Sequence, residues 1–224
     1  MTTEIELKYQ LLTTNKNNNA IVADITAMLN ANNRVFEMNQ HKLVNDYFDN
    51  NNLDLRKMDF GLRIRTKMPV NSPHGSSEHL PQYEQTIKTA GKVNDGLHQR
   101  PEYNVALANN TLNLSLFPTS IWPENSDVIA LQNSVKVLFS TNFLRHTWLI
   151  QQGESIIELA LDKGDICTSP GKPRVVINEI EIELVSGNEQ GLFTLAEQLK
   201  EIVAIEPSNI SKAARGYELY YAKT

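Results

Sequence analysis

Cysteine is almost missing from this chain: Cys167 is the one thiol in 224 residues. That excludes a disulfide framework and a thiolate zinc cluster. No apolar run approaches the ~18 residues of a membrane span. The opening M-T-T-E-I-E-L-K is acidic by its fourth residue and has no apolar stretch, so it does not read as a secretory signal. The expectation is a cytoplasmic protein with no membrane partner. Basic excess is lacking too. Lys+Arg is 21 against Asp+Glu 26, a net charge of −5, which excludes a broad nucleic-acid footprint. No repeat of ~20–50 residues occurs, so solenoids and propellers are excluded. At ~150 residues per domain, the chain reads as one domain over 1–224.

Helical periodicity is confined to a few stretches. Residues 17–30 place Ile21, Ile25, Met28 and Leu29 on one face, and residues 191–203 do the same with Leu192, Leu195, Leu199 and Ile202. A weaker helix is predicted over 128–138. A final one is predicted over 208–221, opened after Pro207 by a capping serine. Residues 67–82, rich in Pro, Ser, Gly and His, read as a hairpin loop. The Asn-rich tracts 15–19 and 50–52 read as solvated turns.

The remaining segments alternate with period two, the strand signature. Their polar faces are almost wholly charged. Glu4, Glu6 and Lys8 share one face, with Ile5 and Leu7 on the other. Arg63 and Arg65 share a face, as do Glu84, Thr86 and Lys88. Arg100 and Glu102 follow the scheme, as do Glu158 and Asp162. Glu179, Glu181 and Glu183 line up three carboxylates. Residues on one strand face sit ~6.5–7 Å apart, so such rows repel unless cations or water intervene. If the sheet closes under covering helices, the charges line a lumen. Lys8, Arg63, Arg65, Lys88, Arg100 and Arg145 then suit a compact polyanion, arginine being the residue for phosphate oxygens. The carboxylates suit a hard divalent cation that shares those phosphates.

At these residues the chain resembles a CYTH domain of the triphosphate tunnel metalloenzyme superfamily. E-x-E-x-K is present as Glu4, Glu6 and Lys8. Tyr47-Phe48-Asp49, G-L-R-I-R over 61–65, Thr86–Lys88, Arg100–Glu102, L-D-x-G over 161–164, the Glu-rich strand over 179–183 and S-K-x-x-R-x-Y over 211–217 follow in order. The stretches 96–107, 138–143 and 211–217 resemble bacterial inorganic triphosphatases with an N-terminal CYTH domain. Those relatives often continue into a helical CHAD domain, and the expectation here is a CYTH domain without it.

The resemblance implies an α+β fold: an eight-stranded antiparallel β-barrel, open as a tunnel, with helices outside. It implies Mg²⁺ or Mn²⁺ (magnesium or manganese) bound by Glu4, Glu6, Glu181 and Glu183, with Glu179 on the same face and Asp162 supporting the metal or its water. Glu4, Glu6, Lys8 and Asp162 form the implied catalytic group. Lys8, Arg63, Arg65, Lys88, Arg100, Arg145 and Lys212 would clamp a small-molecule triphosphate, with Glu102 and Glu158 also lining the lumen. The implied reaction is hydrolysis of inorganic triphosphate to pyrophosphate and phosphate, rising toward alkaline pH as protons stop competing with metal. Thiamine triphosphatase, class IV adenylyl cyclase and a non-catalytic polyphosphate-binding module are the alternatives. No nucleic-acid partner is expected, and protein partners are left open. Cys167 is read as a bystander in a turn. The histidines show no metal-ligand spacing: His98, next to the Arg100 strand, is within reach of the mouth but is read as bland, and His41, His74, His79 and His146 are read as surface residues. Trp122 and Trp148 are expected in outer packing, and Tyr217, Tyr220 and Tyr221 between the last helix and the barrel.

Overall fold

Strict alternation over long runs drives most of this chain into strands, and their length lets the sheet curl onto itself. The computed structural model describes residues 1–12, 17–70 and 80–222. Strands β1 (Thr2–Leu11), β2 (Val35–Asp49), β3 (Gly61–Pro69), β4 (Gln82–Lys88), β6 (Leu97–Leu107), β7 (Lys136–Gln152), β8 (Ser155–Cys167) and β9 (Arg174–Ser186) run in the order β1-β9-β8-β7-β2-β3-β4-β6. β6 pairs back onto β1, and every ladder is antiparallel. The barrel is therefore closed on eight strands, as the α+β reading anticipates, so the strand order has no open end. Two short strands, β5 (Lys92–Asn94) and β10 (Ile205–Pro207), flank β6 and β1.

The outward faces of β1, β8 and β9 are apolar, so helices must cover them. Leu7, Leu159, Leu161, Ile180 and Ile182 pack under α1 (Asn18–Ala31) and α4 (Gln190–Ile202). Those helices contribute Ile21, Ile25 and Leu29, and Leu192, Leu195 and Leu199. Fully burying each such side chain stabilises by ~1.5–3 kcal/mol. Trp148 is wholly buried there, and its indole N–H donates to Thr26 Oγ1 at 3.1 Å. A second outer cluster gathers Leu62 and Ile87 with Leu55, Phe60 and Phe117. Trp122 packs on its margin. Both tryptophans thus pack outside the barrel.

A third cluster lies on the inner face. Leu43, Phe143, Ile166 and Ile177 fall on the same strand faces as Arg145, Asp162 and Glu179, but nearer one end. The lumen changes there from charged to apolar, and α5 (Lys212–Tyr221) lies across that end. Tyr217 sets its ring edge-on to Phe139 at 5.2 Å, and Phe139 stacks on Tyr47 at 4.7 Å. The barrel is open at one end and covered at the other.

Several boundaries differ from expectation. The helix predicted over 128–138 is α3 (Val128–Ser134) and stops earlier. Val135 is extended, and from Lys136 the chain pairs with β2, so tertiary pairing overrides local periodicity. The last helix is capped by Ser211, whose side chain accepts from Ala214 N at 3.1 Å, not by Ser208. Ser208 N donates to Lys8 O instead. Asn17 caps α1, and Asn18 and Asn19 are helical. Asn50 is buried, not solvated, and donates to Asp54 at 2.7 Å ahead of the short helix α2 (Asp54–Lys57). Cys167 ends β8 and does not sit in a turn. Tyr221 is half exposed while Tyr217 is buried. Of the loop expected over 67–82, residues 71–79, with His74 and His79, lie outside the described residues.

The close approach of α5 makes a sign prediction. An interior helical glycine replaced by alanine ordinarily gains ~1 kcal/mol. A Cβ on Gly216 would lie 2.0 Å from the Phe139 ring, which is held between Tyr47 and Tyr217. Overpacking of this kind costs ~1–3 kcal/mol or more. Gly216→Ala is therefore expected to lower the urea midpoint of unfolding; a raised midpoint would refute the seating of α5.

Candidate functional site

Cross-strand register assembles the inner face in rungs. Glu6 stands opposite Glu183, and Glu183 opposite Glu158, so three carboxylates lie side by side on β1, β9 and β8. Directly opposed residues have Cβ atoms ~4.5–5.5 Å apart. The next rung pairs Lys8 with Glu181, and the next runs Glu179, Asp162, Arg145, His41. On the far wall Glu4 faces Arg100, Lys88 faces Glu102, and Arg63 and Arg65 face Tyr47 and Asn45. The enclosed cavity is about 850 Å³ including its mouth. Glu4, Glu6, Lys8, Arg63, Arg65, Lys88, Arg100, Glu102, Arg145, Glu181, Glu183 and Lys212 all line it. Asp162 and Glu179 do not reach its surface. They lie beneath Arg145 and Lys212, and Glu158 stands beside the cavity.

The deep part is an internal ion cluster. Arg145 grips Asp162 with two bonds of 2.7 Å and reaches Glu181 at 2.5 Å. The Lys212 ammonium sits 2.7 Å from Asp162, 2.9 Å from Glu181 and in contact with Glu179. Lys8 adds a 2.6 Å bond to Glu181 and lies 3.2 Å from Glu6. Arg215, one helical turn after Lys212, ion-pairs with Glu179 and donates to Val176 O. Burial opposes ionisation of Asp162 and Glu181. Even so, Arg145 and then Lys212 hold Asp162 below its ordinary range, and Lys212, Lys8 and Arg145 hold Glu181 well below it. Asp162, Glu179 and Glu181 present oxygens within 4.8 Å of one another. Their charge is already met by these four cations, so this triad fits a positioning cluster better than a metal.

Unmet charge lies elsewhere, in two places. Burial, then Glu4 and Glu6, push the Glu183 carboxyl up to about 8. Lys88 and Arg100 outweigh burial at Glu4 and hold it well below the usual carboxylate range. An acid that burial and neighbouring acids hold above its usual range marks a position that lacks positive charge. Glu4, Glu6 and Glu183, with Glu158 adjacent, are hard oxygen donors and fit a divalent cation such as Mg²⁺. The opposite deficit is at Arg65, which burial, then Arg63 and Arg145, lower to about 10. Its Nε donates to Asn45 at 2.8 Å, and among the described residues no carboxylate lies within 4.0 Å of it. Glu183 thus lacks a cation, and Arg65 lacks an anion.

Alternation on β2 could have shown that Tyr47, Asn45 and Leu43 share the inner face. The i, i+3 spacing could have linked Arg215 to Lys212. Neither had been given a role. His98 is buried opposite Glu6, its Nε2 2.9 Å from Ser208 O, rather than at the mouth. His146 is buried in the outer wall against Gln40 at 2.7 Å, and His41 is half-buried on the inner face. Neither is a surface residue.

A family model for the CYTH domain matches residues 2–217. The inorganic triphosphatase of Haemophilus influenzae is 37% identical over 182 residues, which is 79% of this chain and 46% of that protein. The chain thus spans about half the length of the curated relative it matches. Among solved structures, a Hippeastrum putative adenylyl cyclase described as having a dominant triphosphatase activity aligns over 96% of this chain and 95% of its own. Its TM-score is 0.57 at 19% identity. The PH1819 protein of Pyrococcus horikoshii aligns over 96% and 98%, with TM-score 0.57 at 18% identity. These structural likenesses speak for the fold.

The acidic rung has a thermodynamic signature. Raising the Glu183 pKa from 4.5 to about 8 means that the folded chain holds a proton the unfolded chain releases. The resulting stability is complete below pH ~4.5 and is lost as pH rises through ~8. In metal-free protein, Glu183→Gln is expected to gain stability relative to wild type between pH 5 and pH 8.5, read as the difference in urea midpoints. A pH-independent difference would refute the crowding of Glu4, Glu6 and Glu183.

Proposed function

The chain belongs to the CYTH domain family, and we propose that it hydrolyses inorganic triphosphate to pyrophosphate and phosphate within the barrel. The observation that carries this reading is the pairing of two deficits in one chamber. A carboxyl short of positive charge, Glu183 beside Glu4 and Glu6, shares it with a guanidinium short of negative charge, Arg65. A polyanion accompanied by a divalent cation satisfies both.

In this reading Glu4, Glu6 and Glu183 hold Mg²⁺ or Mn²⁺, with Glu158 beside them. A cation bound there supplies charge neutralisation and Lewis acidity toward phosphoryl oxygens. Arg63 and Arg65 bind and orient the triphosphate, and guanidinium forks suit its oxygens. Arg145, Lys8 and Lys212 meet the charge that grows on the departing pyrophosphate. Asp162 and Glu179 act through them, fixing Arg145 and Lys212 so that these cations need not reorganise. Lys88 and Arg100 start paired with Glu4 and can turn to substrate when Glu4 takes a cation. Water adds to a terminal phosphorus as the bridging P–O bond breaks, and one proton is released at alkaline pH.

Tyr47 and Phe143 are the aromatic residues lining the cavity, and both belong to the α5 end. Phe143 already faces Arg145 and Lys212, at 5.7 and 5.1 Å from its ring centre. Among the described residues the mouth side of the cavity offers no aromatic platform. This favours an inorganic substrate over thiamine triphosphate or a nucleotide.

Phosphate release from tripolyphosphate in Mg²⁺ or Mn²⁺ is the direct test. Glu183→Gln is expected to lose at least ~100-fold in kcat/KM, about 2.7 kcal/mol of transition-state stabilisation. Arg65→Ala is expected to raise KM. At sub-saturating metal, activity is expected to climb from pH 6 to 9, as protons leave Glu183, and saturating metal should flatten that climb. Wild-type turnover no faster than Glu183→Gln would overturn the reading.

A further inference from the structure

We propose that Lys67 and His41 form an outer anion subsite near the open end of the barrel. It takes the phosphate of a linear polyphosphate that projects beyond a bound triphosphate. The inference rests on the hydrolytic reading above for where the triphosphate lies, and on separate residues for the subsite.

The inner face of β3 carries Arg63, Arg65 and Lys67 in succession, a cationic ladder with steps of ~6.5–7 Å. The ladder is unbroken. Lys67 pairs with Leu43 on β2 and Gln82 on β4 with no register shift, so it keeps the inner side. His41 shares that side on β2 and stands opposite Arg145. Counted along the strands from Tyr47, which lies at the α5 end, Lys67 comes after Arg63 and Arg65, and His41 comes after Asn45 and Leu43. Neither has a carboxylate within 4.0 Å among the described residues. Five other inner-face cations contrast with this. Lys8, Lys88, Arg100, Arg145 and Lys212 each hold an acid at 3.2 Å or closer.

The nearest inner-face acids on the packed strands are Glu84, opposite Arg65, and Glu37, two rungs outward from His41. Positive charge therefore extends outward from Arg65 with no matching acid row. Burial, then Lys67 and Arg145, lower the His41 imidazole to about 4, so near neutral pH it offers a neutral N–H beside the Lys67 ammonium. A half-buried ammonium and a neutral donor with no carboxylate within 4.0 Å among the described residues suit an anionic oxygen cluster. Lys67 and His41 lie beyond the residues that line the enclosed cavity, so the group they bind is one that a triphosphate does not supply.

The test compares tripolyphosphate and tetrapolyphosphate binding to metal-free protein by calorimetry, alongside phosphate release from each with Mg²⁺. Wild type is expected to bind tetrapolyphosphate about tenfold more tightly. Lys67→Ala should abolish that preference while tripolyphosphate affinity stays within twofold, which also reports an intact fold. Lys67→Arg should keep the preference. Equal wild-type affinity for the two anions, or equal loss of both in Lys67→Ala, would overturn the subsite. If the binding difference appears but neither anion releases phosphate, the subsite stands and the hydrolytic reading falls.

Discussion

The structure depends on one constraint: charges taken into a barrel must find partners there. Moving an ion out of water costs several kcal/mol even after relaxation, and this lumen holds over a dozen ionised side chains. Most of the bill is met internally. Asp162, Glu179 and Glu181 are knitted to Arg145, Lys8, Lys212 and Arg215 by bonds of 2.9 Å or less. Removing one partner of such a cluster strands the others, so its members are expected to behave as a unit. The two groups where pairing fails, Glu183 and Arg65, are therefore informative. A chain that satisfies so many buried charges and leaves these unsatisfied has kept room for ligands that carry the missing charges.

How much of this was legible in the sequence follows from periodicity. The period of two assigns each strand residue to a face without knowledge of its partners. Glu4, Glu6, Lys8, Arg63, Arg65 and Glu183 could thus be grouped before any pairing was known, and closure into a barrel followed from the resemblance carried by those residues. Pairing itself was not legible. Asp162 and Glu183 have the same alternation signal, yet one is locked under Arg145 and the other is left crowded by Glu4 and Glu6. Only the register across β1, β9 and β8 separates them. Helix boundaries failed for a related reason. Residues 135–138 continue the local helical pattern, but from Lys136 on the chain belongs to β7, which pairs with β2.

The inner apolar end was the least legible feature. Leu43, Phe143, Ile166 and Ile177 obey the same alternation as the charged residues and occupy the polar face of it. By pattern they are exceptions. They make sense once α5 is seen to need a seat, with Tyr217 packing among them and its hydroxyl donating to the buried Asp49 at 3.1 Å. The last helix thus serves two ends. Its apolar side finishes the core, and its first residue, Lys212, delivers the ammonium on which the deep acids converge.

Covering one end of the barrel also makes the passage a cul-de-sac. Whatever goes in must back out by the same door, and fragments leave in the reverse order of their depth. For the proposed hydrolysis, the piece seated against Lys212 and Arg145 departs last, whichever piece it is. Turnover then becomes a matter of traffic as much as of bond breaking: a deep fragment that lingers blocks the next arrival, and the cations that hold reactant firmly also slow the clearing of the lane.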